Sequence, residues 1–180
     1  MSVYLLRHGE TTLTGRFVGR VDPALSEKGW RSMRLALSDL PRVSRVVSSP
    51  LRRCLDFAQA WAVEAGLPMA IDDRLAEMDF GAWEGRSAAE IHAADADALG
   101  RFWNDPYAGG PDGSEPFADF IARVEAGFAD AEAGTDEVLV VSHGGPIRWR
   151  LARAQGLPPE RLLEVVCPLA SLHRPGDGSC

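Results

Sequence analysis

The hydrophobic pattern begins with Val3-Tyr4-Leu5-Leu6, a short unbroken run of strand formers that stops at the charged segment Arg7-His8-Gly9-Glu10. Such a run predicts a strand buried on both faces, since a half-exposed strand alternates apolar with polar residues. After a glycine-rich stretch (Gly15, Gly19, Asp22-Pro23) the period changes. Trp30, Met33, Leu37 and Leu40 step by three and four, and Ser26 is placed to cap the first turn. This predicts an amphipathic helix that ends before Pro41. Val43 to Val47 is a second strand candidate. Ser49 then suits an N-cap with Pro50 at the first helical position, and Leu51, Leu55, Ala58 and Ala62 mark one face of a helix closing near Gly66-Leu67-Pro68. Met69 to Ile71 suits a third, short strand. Val138-Leu139-Val140-Val141 is the clearest buried strand, running into Ser142-His143-Gly144-Gly145-Pro146 and a helix through Ile147, Leu151 and Ala154. Leu162 to Val166 and Ser171 to His173 suit edge strands.

Strands alternating with amphipathic helices predict an α/β fold, a three-layer α/β/α sandwich with a mostly parallel central sheet. The interval from about residue 74 to 134 breaks the rhythm. It is acidic, carries one helical stripe (Phe117, Phe120, Ile121, Val124, Phe128) and contains the loop-rich stretch Asn104 to Pro116, so it reads as a cap insertion of helices and loops over the sheet. With neither internal repeat nor interdomain linker, residues 1–180 are expected to form one domain.

Composition narrows the class. A chain of 180 residues with 46% hydrophobic and 25% charged residues can bury one core. No apolar stretch reaches membrane-spanning length, and the segment before Arg7 lacks the pattern of a secretion signal, so a cytoplasmic protein with no membrane partner is expected. Cys54, Cys167 and Cys180 have no metal-site spacing, which disfavours a disulfide framework or structural zinc. A net charge of −7 argues against nucleic acid as a partner. That charge is uneven: +6 over residues 1–53, −15 over 54–147 and +2 over 148–180. Arginines concentrated near the beginning of an acidic chain suit a local site for a small anion. A homodimer is compatible with the sequence.

The chemistry-bearing residues fall at the ends of the predicted strands. Both Val3 to Leu6 and Val138 to Val141 run into a histidine followed by glycine, His8-Gly9 and His143-Gly144. In an open α/β sheet ligands gather beyond the carboxyl ends of the strands, so parallel neighbours would bring the two imidazoles together. Arg7 adds a cation, the glycines allow close approach of backbone N–H groups to an anion, and the helix after Gly145 adds its positive end. Ser48-Ser49-Pro50-Leu51-Arg52-Arg53 supplies further arginines. Leu75 to Gly85, with Glu77, Asp79 and Glu84, is a loop of carboxylates and aromatics. Arginine binds a phosphate dianion through paired planar hydrogen bonds, and the chain has a single lysine, Lys28. A neutral imidazole can attack phosphorus, neighbouring cations can stabilise the oxygens, and a carboxylic acid can protonate the departing alkoxide. That chemistry needs no metal and no cofactor.

Leu6-Arg7-His8-Gly9-Glu10-Thr11, Ser49-Pro50-Leu51-Arg52-Arg53, the Leu75 to Gly85 loop and Ser142-His143-Gly144-Gly145 resemble, in order, the four signatures of the histidine phosphatase superfamily, the phosphoglycerate-mutase-like proteins. The resemblance implies that His8 is the phosphorylated nucleophile, that Arg7, Arg53 and His143 hold the phosphoryl oxygens, and that Glu77 is the general acid. Gly144 and Thr14 join the substrate-binding set, Thr14 standing where many relatives have asparagine. The small cap, Trp103-Asn104-Asp105-Pro106 and Phe120-Ile121-Ala122-Arg123-Val124 are similar to the α-ribazole phosphatase branch, so the implied substrate is a small phosphorylated metabolite such as α-ribazole 5'-phosphate. Ser114-Glu115-Pro116 replaces a frequent Gly-Glu-Ser.

Other residues take bland roles. Arg52 is expected to face solvent or an acidic neighbour on its helix, Glu10 to orient backbone, and Cys54 to fill core. His92 and His173 lack phosphate context, and Trp83 and Trp103 are expected to be buried aromatics of the cap. Two other functions fit the same residues: a phosphoglycerate mutase, disfavoured by the short cap and the short segment after Ser171, and a non-catalytic phospholigand-binding module, disfavoured by Glu77.

Overall fold

The structure is a computed structural model that describes residues 3–106, 110–134 and 136–176; Cys180 lies outside them. Five strands form one sheet: β1 (Val3–Arg7), β2 (Arg45–Ser48), β3 (Met69–Ile71), β4 (Val138–Ser142) and β5 (Leu172–His173), in the order β3-β2-β4-β1-β5. β1, β2, β3 and β4 run parallel, and β5 adds an antiparallel edge to β1.

Alternation along the strands sorts side chains to two faces. Tyr4, Leu6, Val46, Leu139 and Val141 pack against α1 (Glu27–Ala36) and α2 (Arg52–Ala65) through Met33, Cys54, Phe57 and Ala58. Val3, Leu5, Val47, Val138 and Val140 pack against α5 (Phe117–Ala131) and α6 (Gly144–Ala154) through Phe120, Val124, Ile147 and Ala152. The three-layer sandwich follows from this division. α5 lies within the 74–134 interval yet belongs to the sheet layer. The remainder, with α3 (Ala88–Ala94) and α4 (Ala96–Asn104), builds a smaller core of Trp83, Ile91, Leu99 and Phe102. No helix among the described residues is long and apolar enough to cross a membrane.

Three local expectations are corrected. Leu162 to Val166 is not a strand: Pro159–Glu164 is a 3₁₀ turn, whose Leu162 side chain is buried in the core of the α6 layer. α1 ends at Ala36, with Leu37 as C-cap, and Leu40 only packs against the core from the following turn. α2 starts at Arg52 with Leu51 at the cap position; the Ser49 hydroxyl accepts from the Leu51 N–H at 3.3 Å and from His143 Nε2.

The loop after β1 rests directly on α1 at two glycines. A Cβ on Gly29 would sit 2.1 Å from the Glu10 carbonyl oxygen, and one on Gly9 2.5 Å from the Gly29 carbonyl oxygen. Alanine at position 29 gains up to about 1 kcal/mol of helix propensity. The clash is with backbone, which yields less readily than a side chain, so Gly29→Ala is expected to lower stability by about 1–3 kcal/mol net. A urea titration of the two proteins measures it.

Candidate active site

β1 and β4 are adjacent, parallel and in register, with Arg7 opposite Ser142. The helices that follow them go to opposite faces, α1 to one and α6 to the other, which makes their carboxyl ends the switch point where an α/β sheet opens a crevice. His8 and His143 are the first residues past this paired register. The His8 N–H donates to the Ser142 carbonyl at 3.0 Å, and the two rings meet edge to face with centroids 5.2 Å apart.

Each imidazole is held in one tautomer. His8 Nδ1 lies 2.8 Å from the Gly9 carbonyl, which only accepts, so Nδ1 carries the proton and the Nε2 lone pair is free. His143 Nδ1 accepts from Arg53 Nε at 3.1 Å, so its Nε2 carries the proton and donates to Ser49 Oγ at 2.6 Å. Burial first, then the Arg53 charge, push the His8 pKa down to about 3, against a smaller opposing effect of the Gly9 carbonyl. Burial, Arg53, His8 and Arg7 hold His143 well below the ordinary imidazole range. Both rings are neutral at pH 7, as a nitrogen nucleophile requires.

The cavity in front of His8 has a volume of about 550 Å³. Arg7, His8, Glu77, Gly145 and Arg148 form its polar floor. Burial lowers the Arg7 pKa; one of its donors meets the Cys167 carbonyl, and its buried Nε has no protein acceptor. The Glu77 carboxylate accepts from the Gly145 N–H with both oxygens at 3.1 Å, at the positive end of α6. Gly145 has to be glycine for this, since a Cβ there would lie 2.3 Å from Glu77 Oε1.

Arg53 and His143 stand behind His8 and do not line the cavity. Both are fully buried. Arg53 gives its Nη donors to the Val18, Gly19 and Val21 carbonyls at 3.0 Å each, with Asp22 3.8 Å away. Four Arg53 N–H contacts go to His143 and these carbonyls, and the His143 Nε2 donor goes to Ser49. The sequence reading missed two residues. Arg148 lines the floor, with Nε donating to the Val165 carbonyl at 3.0 Å; it lies one helical turn after Gly144, and that spacing alone points it to the same side. Glu84 accepts the N–H groups of Gly19, Arg20, Val21 and Phe80 at 2.9 to 3.2 Å, bracing the loop whose carbonyls hold Arg53. No sequence signal distinguished it from Asp79.

Thr14 is exposed at the cavity wall, and Gly144 is the first residue of α6, where a Cβ would crowd the guanidinium groups of Arg7 and Arg148. Arg52 faces Asp56 on its own helix, and Glu10 bonds Ser26 and Lys28. Cys54 is buried core, and its burial pushes the thiol pKa up. His92 is exposed on α3, and His173 bonds Ser171 Oγ. Trp83 is buried as expected, but Trp103 is 49% exposed and stands at the cavity wall, because α4 turns its Phe102 face inward instead.

Residues 3–175 match the histidine phosphatase superfamily (branch 1), and the chain belongs to that family. It is 41% identical over 175 residues to a bifunctional protein of Mycobacterium tuberculosis, covering 93% of this chain and 48% of that one. The chain thus spans about half the length of the curated relatives it matches at that level. It is 34% identical over 168 residues to the glucosyl-3-phosphoglycerate phosphatase of Mycolicibacterium vanbaalenii, covering 86% of this chain and 74% of the relative. The solved α-ribazole phosphatase of Shigella flexneri superposes with a TM-score of 0.82 at 29% identity, covering 97% of this chain and 89% of that one.

The histidine shifts predict a pH dependence of stability. Both folded-state pKa values are depressed, so the unfolded chain takes up protons that the folded chain refuses. Stability is therefore full above the ordinary value of 6.5 and falls as pH drops toward about 3. The slope approaches about 1.4 kcal/mol per pH unit for each histidine. Urea unfolding at pH 7, 6 and 5 is expected to show this slope, and a His8→Asn protein is expected to show a shallower one.

Proposed function

We propose that the chain hydrolyses a small phosphomonoester of an alcohol that carries an aromatic ring, through a covalent phosphohistidine on His8. The observation that carries this is the tautomer of His8: a neutral ring, its free Nε2 lone pair set by the Gly9 carbonyl, beside two cavity-lining arginines and a carboxyl group. The Nε2 lone pair forms the N–P bond as the P–O bond to the leaving group breaks. Arg7 and Arg148 receive the negative charge on the non-bridging oxygens. Glu77 gives its proton to the departing oxygen. Water then attacks the phosphohistidine, its proton passes to Glu77, and the N–P bond electrons return to His8. Arg53 acts from behind, keeping the field around His8 positive, and the neutral His143 ring lies between its Nε and Ser49. The arginines and the helix end supply the charge a metal would otherwise provide.

The cavity walls support the choice of leaving group. Phe17, Phe80, Phe102, Trp103, Phe117 and Phe120 line them, and Phe17 meets Phe80 edge to face at 5.2 Å. Such a wall suits a flat ring and offers a sugar few hydrogen-bond partners. Of the substrates named for relatives, α-ribazole 5'-phosphate fits this chemistry better than glucosyl-3-phosphoglycerate.

His8→Ala is expected to abolish turnover, and wild type quenched during turnover of a radiolabelled substrate is expected to carry acid-labile, base-stable phosphate that His8→Ala lacks. Full activity in His8→Ala overturns the mechanism. Arg148→Ala is expected to lower kcat/KM about 100-fold. Ranking α-ribazole 5'-phosphate, glucosyl-3-phosphoglycerate and 3-phosphoglycerate by kcat/KM tests the substrate: a spread of about tenfold or less marks a generalist.

A further inference from the structure

Glu77 sits on a segment that neither a helix nor a strand holds, between the 3₁₀ turns Asp73–Leu75 and Gly81–Trp83. Its carboxyl must nevertheless meet a leaving oxygen within a few tenths of an ångström, and a displacement of about 1 Å costs on the order of 100-fold in rate. Something else has to fix the backbone here.

Arg123 does so from α5. Its Nη1 donates to the Arg74 and Ala76 carbonyls at 2.8 Å each, and its Nη2 to the Glu77 carbonyl at 3.0 Å. The other edge of the same guanidinium forms a two-pronged pair with Glu115, at 2.5 and 2.7 Å. Glu115 in turn grips the far end of the segment: its N–H donates to the Asp79 carbonyl at 3.1 Å, and its carboxylate accepts from the Asp79 N–H at 3.4 Å. Arg123 and Glu115 side chains are only 17% and 13% exposed, so solvent screens the pair weakly. The guanidinium also lies 5.0 Å over the ring of Phe120, which is itself buried in the α5 layer. The geometry joins a rigid layer helix to the loop that carries the carboxyl, and neither Arg123 nor Glu115 lines the cavity.

We propose that Arg123 and Glu115 form a positioning clamp that aims the Glu77 carboxyl at the leaving oxygen, acting only through the backbone of residues 74–79. This rests on the assignment of Glu77 as proton donor. It assigns a role to Ser114-Glu115-Pro116 and to Arg123, two motifs that the phosphoryl chemistry itself does not use. The five donor–acceptor contacts need a planar fork, so lysine cannot stand in for Arg123.

The test compares an alkyl phosphomonoester, whose alkoxide needs a proton to leave, with p-nitrophenyl phosphate, whose phenolate leaves without one. Glu77→Gln is measured first, by kcat/KM, which ends at departure of the leaving group and so excludes the shared hydrolysis step, and is expected to lose on the order of 100-fold more on the alkyl ester than on the aryl ester. Arg123→Met and Arg123→Lys are expected to lose about 30-fold on the alkyl ester but about threefold or less on the aryl ester, with inhibition by inorganic phosphate within about threefold of wild type. Glu115→Gln keeps the arginine and is expected to show the same selectivity at about fivefold, which serves if Arg123→Met does not fold. Equal losses on both esters, full activity of Arg123→Lys, or a parallel loss of phosphate binding overturns the clamp while leaving Glu77 as the acid. Equal losses in Glu77→Gln overturn the proton-donor assignment itself, and the clamp with it.

Discussion

The pairing of β1 with β4 is the constraint on which the rest depends. Two parallel strands in register, Arg7 opposite Ser142, deliver one histidine each from the same edge of the sheet, and the helices that follow diverge to opposite faces. A slip of one residue would turn each strand's apolar set to the wrong face, so both cores resist it. The same backbone hydrogen bonds that stabilise the sheet therefore set the distance between the imidazoles. The chemistry depends on the sheet register, and no flexible loop intervenes between strand and nucleophile.

Positive charge is arranged in two layers around that pair. In front, Arg7, Arg148 and the end of α6 face the cavity; behind, Arg53 is buried beside His143. An isolated buried cation is costly by several kcal/mol. Here three backbone carbonyls from residues 18–21 surround it, and their loop is held by Glu84 through three backbone N–H groups. Burial first, and then this rear charge, keep both rings neutral, while the front layer retains donors for an anion. Glu77 is held on the same principle, through backbone carbonyls gripped by a distant guanidinium.

The floor and the walls of the cavity answer different questions. The floor is built from the strand ends and from α6, elements that every packing contact of the sandwich supports. The walls come from the loop around Phe17 and from the small core of the cap, where Trp83 and Phe102 pack 5.3 Å apart. Relatives with the same fold and different named substrates are consistent with this division, in which the sheet sets the reaction and the cap sets the leaving group.

Much of this was legible along the chain. Unbroken apolar runs marked β1 and β4, helical spacing marked α1, α2 and α5, and the residues directly after the two strands marked the histidines. Those signals are local, because strand burial and helix amphipathicity repeat every two to four residues. Leu162 to Val166 misled because a short apolar run carries no information about whether a sheet edge is free to receive it. Arg148 was within reach of the i,i+4 spacing from Gly144. The engagement of Arg53 by the carbonyls of a distant loop, the grip of Glu84 on that loop, and the clamp of Arg123 on residues 74–77 were not, since each joins segments 32 to 65 positions apart. The sequence by itself determined the layers, the strand ends and the residue types of a phosphoryl-transfer site. Only the tertiary structure decided which arginine faces the cavity and which stands behind a histidine, because a donor's direction depends on the carbonyls that folding brings to it.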